Sequence, residues 1–348
     1  MTATPETLRL YTSEDALPAD ALRVDALGSS LRELFYIEHP DVQKSDRSAD
    51  ERIREFVAGS RNLDSVWVYY PWRKCAIRIP SEETYTRLRT ARNRNLIAES
   101  EQSAYRSSLI GIAGLSVGSS ALYALTATGG PKKMKLADPD TIEITNLNRI
   151  RATLADVGAN KTDVAARCVW ELDPFAELEL WREGVGASTL QKFITDPRLD
   201  IFIDEMDDIE LKFSARDICK KERIPVIMAT DNGDGAILDV ERFDVEPSRP
   251  IFHGRVTMPE GGIRIGDRAQ FIELANSIID PNHFTDRQRS SVVSIGTELS
   301  GVPQLATAAA IAGAALAWAV RQIATDGELP SGRYIIGCEQ LLATRSER

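Results

Sequence analysis

From Leu109 onward the sequence alternates short apolar runs with amphipathic stretches, and this alternation limits the fold more than any other feature. The apolar run Leu109–Ala113 ends at Gly114 and precedes a small-residue helix predicted over 119–128. Strands that alternate with helices predict a doubly wound, Rossmann-like α/β fold with a mostly parallel sheet. The other predicted elements are strands at 134–137, 178–181, 201–203 and 226–228, a helix that begins at Asn160 and has Cys168 on its core face, and a helix over 209–222.

Towards the C-terminus the alternation gives way to a different pattern. The acidic string Asp231–Gly235 predicts a tight turn, because its glycines stand where a calcium loop would need ligands. A strand is predicted over 236–243, and a loop-rich segment with one helix over about 252–300. The apolar run Leu305–Val320 is shorter than the ~20 residues that cross a bilayer, so a buried core helix is predicted. A last strand is predicted at 333–336.

The N-terminal region has a different character. Two strand-like runs, Val66–Trp72 and Cys75–Pro80, predict a hairpin, whose aromatic side chains are expected to pack internally rather than to form a peptide-binding wall. A chain of 348 residues is long enough for two packed units. We therefore predict a small α+β accessory region over 1–88, a nucleotide-binding domain over 89–341 and a C-terminal tail over 342–348.

The amino-acid composition of the chain argues against several classes of function. Lys and Arg number 42 against 52 Asp and Glu, and the net charge of −10 argues against nucleic acid as a partner. The 4 cysteines form no Cys-x-x-Cys pair and the 3 histidines are isolated, so neither a zinc site nor a catalytic triad is indicated. The N-terminal stretch lacks a signal-peptide pattern, which predicts a cytoplasmic protein without a membrane partner.

A glycine-containing turn follows the first strand of the alternating region and opens a helix. In this context backbone N–H groups and a helix N-terminus can bind a phosphate, and Gly114, Ser116 and Gly118 are the candidate residues. Ser116 stands where the motif G-x-G-x-x-G has its second glycine. A plain strand-to-helix turn therefore explains these residues equally well.

A pair of carboxylates, Asp138 and Asp140, follows the next strand. In a doubly wound fold a carboxylate at this place accepts hydrogen bonds from ribose hydroxyls. Because both NAD and ATP contain ribose, the pair indicates a nucleotide without choosing between hydride transfer and phosphate chemistry.

Three side chains downstream favour phosphate chemistry. Asn146 and Arg149 lie on one side of a helical turn, and Lys161 opens a helix behind the capping residue Asn160. An amide, an arginine and a lysine around a triphosphate stabilise the charge that builds up in nucleotidyl transfer, whereas hydride transfer has no use for them. These residues predict an ATP site.

Further carboxylates follow the strand predicted at 201–203, namely Glu205, Asp207 and Asp208. Asp207 is predicted to hold Mg²⁺ against the phosphates, since this cation prefers oxygen ligands. Glu205 and Asp208 are expected to have structural roles, with Asp208 as a helix cap.

In this order and spacing, these motifs resemble the ThiF/MoeB family, the ubiquitin-activating-type adenylyltransferases. The end of the chain, with an alanine-rich helix followed by a strand, agrees with the resemblance, which covers about residues 89–341. The residues that carry it are Gly114, Asp138-x-Asp140, Asn146-Leu-Asn-Arg149, Lys161 and Asp204-x-x-Asp207.

The resemblance implies that the chain uses ATP to convert a C-terminal carboxylate into an acyl-adenylate, with release of pyrophosphate. The acceptor would be a small ubiquitin-like protein, a sulfur-carrier protein or a ribosomal peptide. By the same resemblance Asp138 would hold the ribose, Asn146, Arg149 and Lys161 the phosphates, and Asp207 the Mg²⁺.

The resemblance also implies an arginine from upstream of the first strand, often supplied by the partner subunit of a homodimer, and Arg92 and Arg94 are the candidates. Cys219 is expected to pack within a helix and Cys338 lies far downstream, so adenylation without transfer to an enzyme thiol is predicted. The N-terminal region resembles the front of proteins in which this module precedes a nitroreductase-like flavin domain. Because the sequence ends at Arg348, no flavin chemistry is predicted.

Three other functions stay open at this point. An NAD-dependent oxidoreductase would use the same fold and the same ribose carboxylate. A catalytically silent scaffold that binds a nucleotide or a peptide would explain the altered glycine turn. ATP-dependent cyclisation of a modified tRNA base fits the resemblance but is disfavoured by the net charge of −10.

Overall fold

The computed structural model describes residues 7–60, 64–256 and 263–338. The chain divides into two compact units, Met1–Glu99 and Ser100–Arg348. The boundary predicted after residue 88 precedes this division and stays a prediction. The predicted tail, 342–348, lies outside the described residues.

The first unit combines helices with a mixed sheet. In chain order its elements are β1 (Arg9–Tyr11), β2 (Leu22–Asp25), α1 (Leu27–Glu38), α2 (Asp50–Gly59), β3 (Ser65–Tyr70), β4 (Cys75–Pro80) and α3 (Glu82–Thr90). The strands are ordered β1-β3-β4-β2. The predicted hairpin is confirmed, since β3 and β4 pair antiparallel. Trp67 and Tyr69 are buried in the core of this unit, as expected for internal packing.

The second unit carries the predicted alternation of strands and helices. Its elements are α4 (Glu99–Ser107), β5 (Leu109–Ala113), α5 (Val117–Ala127), β6 (Lys133–Ala137), α6 (Lys161–Leu172), β7 (Glu177–Trp181), α7 (Leu190–Thr195), β8 (Ile201–Asp204), α8 (Ile209–Lys221), β9 (Val226–Asn232), β10 (Gly235–Glu241), α9 (Arg268–Ile279), α10 (Asp286–Val293), α11 (Ala306–Ala324) and β11 (Gly332–Gly337).

The strands of the second unit form one sheet in the order β11-β10-β9-β8-β5-β6-β7. Strands β5 to β9 run parallel to one another, whereas β10 pairs antiparallel with both β9 and β11. The residues of β8 are all buried, as is usual for a parallel strand in the middle of a sheet with helices on both faces. The predicted fold class, a doubly wound and mostly parallel α/β fold, is confirmed.

The alanine-rich helix α11 packs against α5, β9 and β10. Small residues allow this packing: a Cβ on Gly313 would come within 2.6 Å of the Ser120 side chain, so the two helix backbones approach closely. By length and composition α11 would suffice to cross a membrane. Its face that includes Leu316 and Val320 is nevertheless buried inside the unit, as the sequence predicted.

Two local predictions were wrong. The loop-rich segment before α11 contains two α-helices among its described residues, α9 and α10, instead of one. Cys168 is half-buried rather than part of the core. Its Sγ lies 3.5 Å from the backbone oxygen of Arg151, beside a cleft between α5 and α6. The apolar face of α6 is therefore narrower than its sequence suggests.

Candidate functional site

The carboxyl ends of β5, β6, β8 and β9 meet at one edge of the sheet, and the glycine turn lies in their middle. The amide of Gly114 donates to the Ala137 carbonyl at 2.8 Å, which joins the ends of β5 and β6. Gly114 has a φ of +95°, and a Cβ there would lie 2.1 Å from the carbonyl oxygen of Glu205. The turn thus needs glycine for two reasons, its left-handed backbone and its contact with the segment after β8.

Asp138 supports this turn from the end of β6. One carboxylate oxygen accepts the amide of Leu115 at 2.7 Å, and the other accepts the amide of Asp140 at 2.9 Å. Burial raises the pKa of Asp138, and the nearby ammonium of Lys161 opposes that shift. Each carboxylate oxygen retains a second lone pair that could accept a ribose hydroxyl, so the predicted ribose contact stays a prediction.

Lys161 lies on the β6 side of the turn, at the start of α6. Asn160 caps this helix by accepting the amide of Thr162 at 2.9 Å, as predicted. The ammonium of Lys161 is 2.7 Å from Asp140 Oδ2 and 3.6 Å from Asp138 Oδ1. The lysine is therefore paired with the two predicted ribose carboxylates.

Arg149 lies against the glycine turn itself. Its Nε donates to Ser116 Oγ at 3.0 Å, and its Nη1 donates to Asn148 Oδ1 at 2.9 Å. Burial lowers the pKa of Arg149, whereas the carboxylates of Asp231 and Asp207 raise it. Arg149 is thus a half-buried cation that faces acidic groups from the ends of β8 and β9.

Asn146 shapes the turn that carries Arg149. Its Oδ1 accepts the amide of Glu143 at 3.1 Å, and the Glu143 side chain in turn caps the short 3-10 helix Ile144–Asn146. The carboxamide oxygen is thus used inside the turn, which leaves the NH₂ group as the part that could reach a phosphate.

The carboxylates after β8 have separate roles. Asp207 is exposed and lies within electrostatic reach of Arg149. Asp208 caps α8 by accepting the amide of Leu211 at 3.0 Å, which confirms the predicted cap. Glu205 accepts the amide of Ala229 at 2.7 Å, and burial raises its pKa well above the usual range. Of this group, Asp207 is the exposed carboxylate whose charge acts on Arg149.

Asp204, part of the predicted motif, belongs to the core. It is fully buried and forms ion pairs with Lys212 and Arg216. These two cations outweigh the effect of burial and hold the pKa of Asp204 below its usual value. Arg216 also pairs with Glu241 on β10 at 2.6 Å, so the network ties α8 to the sheet. Asp204 therefore serves to support the end of β8.

Sequence reasoning missed Asp231, which was assigned to a tight turn. The structure extends β9 through Asn232 and places the turn at Gly233, with a φ of +64°, and Asp234. Asp231 is 6% exposed and accepts a hydrogen bond from Gln304 Nε2 at 3.0 Å. Burial raises its pKa to about 6, against the lowering effects of Gln304 and Arg149. The only sequence signal was its place three residues after the buried strand predicted at 226–228.

We expect Asp231→Asn to stabilise the protein at pH 8 by about 2–3 kcal/mol, since each pKa unit is worth 1.36 kcal/mol. Because the folded pKa, about 6, exceeds the ordinary value of 3.8, ionising Asp231 above pH 6 destabilises the fold. This penalty disappears as the pH falls from about 6 towards 3.8, so the gain should shrink by about half between pH 8 and pH 5. Urea unfolding at both pH values measures it.

The matched control for this prediction is Asp234→Asn, at the exposed turn of the same hairpin, where Thr307 is the hydrogen-bond donor. It should not produce a gain that depends on pH in this way. Equal effects of the two substitutions at both pH values would contradict the raised pKa of Asp231.

The residues at this edge of the sheet can hold a Mg²⁺ ion only together with a bound ligand that supplies further oxygen atoms. Among the described residues, no group of three or more His, Cys, Asp or Glu side chains is arranged to hold a metal. Mg²⁺ commonly binds to one or two carboxylates together with phosphate oxygens and water. The exposed carboxylate of Asp207, beside the glycine turn, fits that requirement.

Arg92 and Arg94 belong to the first unit, and Cys219 and Cys338 belong to the second. Arg92 is in the short 3-10 helix Ala91–Asn93 of the first unit, and Arg94 follows it, so their action from a partner subunit stays a prediction. Cys219 is fully buried in α8, as expected, and burial raises its thiol pKa. Cys338 is half-buried after β11. Adenylation without a thioester stays a prediction.

Comparison with known proteins gives a family match over more than half of the chain. The ThiF family model matches residues 90–336. The chain is also 35% identical over 318 residues to an uncharacterized protein of Mycobacterium tuberculosis (strain CDC 1551 / Oshkosh). That match covers 85% of this chain and 44% of the relative, so the chain spans less than half of that protein's length. The predicted resemblance to a flavin-domain fusion is not tested by this match.

Two further likenesses are more distant. The chain is 28% identical over 197 residues to the tRNA threonylcarbamoyladenosine dehydratase of Bacillus subtilis (strain 168), over 54% of this chain and 76% of that enzyme. A crystal structure of Escherichia coli MccB with succinimide has a TM-score of 0.50 and 17% identity, and covers 88% of this chain and 79% of that one. At this identity the structural likeness shows the fold alone.

Proposed function

Because the chain belongs to the ThiF family, we propose that it is an ATP-dependent adenylyltransferase that activates the C-terminal carboxylate of a peptide or small protein. In the proposed step a carboxylate oxygen of the acceptor attacks the α-phosphorus of ATP. A new bond joins this oxygen to phosphorus, the bond from phosphorus to the bridging oxygen breaks, and pyrophosphate leaves with that electron pair. The products are an acyl-adenylate and pyrophosphate.

The observation that carries the proposal is the contact between Arg149 and the glycine turn. The guanidinium donates to Ser116 Oγ at 3.0 Å, at the N-terminus of α5. A helix N-terminus and a guanidinium both favour an anion such as a phosphate group. Charge that develops on the α-phosphoryl oxygens would be stabilised by this pair.

The other site residues take complementary roles in this proposal. Asp138 and Asp140 would receive the ribose, and Lys161, 2.7 Å from Asp140, would orient that carboxylate or move to a phosphate when ATP binds. Asp207 would hold Mg²⁺, which supplies positive charge to the phosphate oxygens when it is bound. Asn146 would reach a phosphate through its NH₂ group.

Thermal unfolding can distinguish the binding of ATP from the binding of NAD. A ligand at 100 times its Kd stabilises the folded state by about 2.7 kcal/mol. We therefore expect ATP with Mg²⁺ to raise the Tm by several degrees and NAD to leave it unchanged. Asp207→Asn should reduce the contribution of Mg²⁺, whereas the neighbouring cap variant Asp208→Asn should keep it. A shift with NAD alone would instead support the oxidoreductase alternative.

The proposal also covers the acceptor, the subunit arrangement and the cellular location of the protein. We propose a small ubiquitin-like protein, a sulfur-carrier protein or a ribosomal peptide as acceptor. We also propose a homodimer in the cytoplasm, in which Arg92 or Arg94 serves the partner's site. Binding of ATP without any turnover would favour the scaffold alternative.

A further inference from the structure

Asp231 has a carboxylate oxygen that the proposed ATP site does not use. The side chain is 6% exposed, and Gln304 Nε2 donates to its Oδ2 at 3.0 Å. Its Oδ1 is buried, and no group in the described part of the chain hydrogen-bonds to it. A buried carboxylate oxygen without a donor is costly, and a donor group on a ligand would remove that cost.

The surroundings of Asp231 hold it in one orientation. Asn148 accepts from Arg149 Nη1 at 2.9 Å and donates through Nδ2 to the backbone oxygen of Gln304 at 2.8 Å. The segment that carries Arg149 thus also holds Gln304, which in turn binds Asp231 Oδ2. Asp231 and Arg149 are close enough for their charges to interact. The orientation of the unpaired oxygen is therefore coupled to the proposed phosphate-binding arginine.

The strand order places Asp231 on the acceptor's side of the site. Along the sheet edge the order β6, β5, β8, β9 brings Asp138, the glycine turn, Asp207 and Asp231 into succession. A nucleotide with its ribose at β6 and its phosphates at the turn would extend towards β8. The attacking carboxylate would then approach from the direction of β9, where Asp231 lies.

We propose that Asp231 Oδ1 accepts a hydrogen bond from the backbone N–H of the acceptor's last residue and so positions a peptide C-terminus for attack. This inference rests on the proposed function and deepens it. In a peptide this N–H is attached to the Cα that bears the terminal carboxyl group. A simple organic acid has no N–H at that position. Asp231 therefore selects chain ends over small carboxylic acids.

The neighbouring acidic group cannot replace Asp231 in this role. Glu205 lies close enough to interact electrostatically with Asp231, but its Oε1 accepts the amide of Ala229 at 2.7 Å. The Glu205 side chain is therefore already bound to the backbone of β9, whereas Asp231 Oδ1 has no donor among the described residues.

Two stable analogues of the acyl-adenylate test the proposal without a known acceptor. One is N-acetylglycyl-sulfamoyladenosine, which has the amide N–H, and the other is its ester counterpart, acetoxyacetyl-sulfamoyladenosine, in which an oxygen replaces that N–H. Glycine is used because it adds no side chain. We expect the wild-type protein to bind the amide at least about tenfold more tightly than the ester in calorimetric titrations.

Asp231→Ala should bind both analogues with affinities within about twofold of each other, near the wild-type affinity for the ester. Asp231→Asn should lose at least about threefold of the preference, since it keeps an oxygen without the charge. Asp234→Ala, on the same hairpin, should retain the full preference. Retained binding of the ester shows that each variant is folded.

Two results would overturn the inference alone: equal binding of the two analogues by the wild-type protein, or a full amide preference in Asp231→Ala. Failure of the wild-type protein to bind either analogue would contradict the proposed adenylation itself, and the inference with it. The two failures are thus distinguishable.

Discussion

Arg149→Ala is expected to slow adenylate formation by about 10²–10³-fold, the usual loss when a preorganised charge-stabilising donor is removed. Arg149 donates to Ser116 at the glycine turn and faces Asp207 and Asp231. Its charge would act mainly when negative charge builds up on the α-phosphoryl oxygens. Steady-state rates of pyrophosphate release measure the loss, and kcat should fall more than KM for ATP rises.

Arg151→Ala provides the matched control for this prediction. Arg151 lies in the same segment, but its guanidinium stacks over the Tyr123 ring at 3.4 Å from the ring centroid. We expect it to change kcat by less than about threefold, since a stacked, partly exposed cation contributes mainly to packing. A loss below threefold in Arg149→Ala, or equal losses in both variants, would contradict the role proposed for Arg149.

Gly114→Ala is expected to destabilise the second unit by about 3–5 kcal/mol, which lowers the Tm by roughly 10 °C. Two costs combine at this position. A φ of +95° is unfavourable for alanine, and the added Cβ would lie 2.1 Å from the backbone oxygen of Glu205, which no side-chain rotation can relieve. Relief requires that the ends of β5 and β8 move apart, so ATP binding should also be lost.

Gly158→Ala is the control that measures the cost of the left-handed backbone without the steric contact. Gly158 has a similar φ of +88°, but a Cβ there would have nothing within 4 Å. It should cost only about 1–2 kcal/mol, the penalty of the left-handed backbone alone. Equal losses of stability in the two variants, measured by thermal or urea unfolding, would show that the contact with Glu205 has no energetic effect.

The fold could be predicted because its signals are local. The apolar runs that became β5 and β8, the cap Asn160 and the cap Asp208 each depend on neighbours in sequence, and the structure confirms them. The alternation of strands and helices then leaves a doubly wound sheet as the arrangement that buries these strands on both faces.

The hydrogen-bond and ion-pair partners of the site residues could not be predicted, because they depend on contacts between residues that are far apart in the sequence. Lys161 was predicted to face a phosphate, but the distance to Asp140, 2.7 Å, follows from how α6 lies beside the end of β6. Asp231 was assigned to a turn because of the adjacent glycines. The ladder with β10 extends β9 through Asn232, and the burial of Asp231 depends on Gln304, which is remote in sequence. Such pairings become visible only in three dimensions.

Exchange of radioactive pyrophosphate into ATP, driven by a pool of peptides with free C-terminal carboxylates, measures the reversible formation of the acyl-adenylate. The same peptides with amidated C-termini serve as the control, since they lack the nucleophile. We expect exchange with the free acids that disappears in Arg149→Ala, and no exchange with the amides. Binding of ATP without exchange in either pool, or equal exchange in both, would contradict the proposed adenylation.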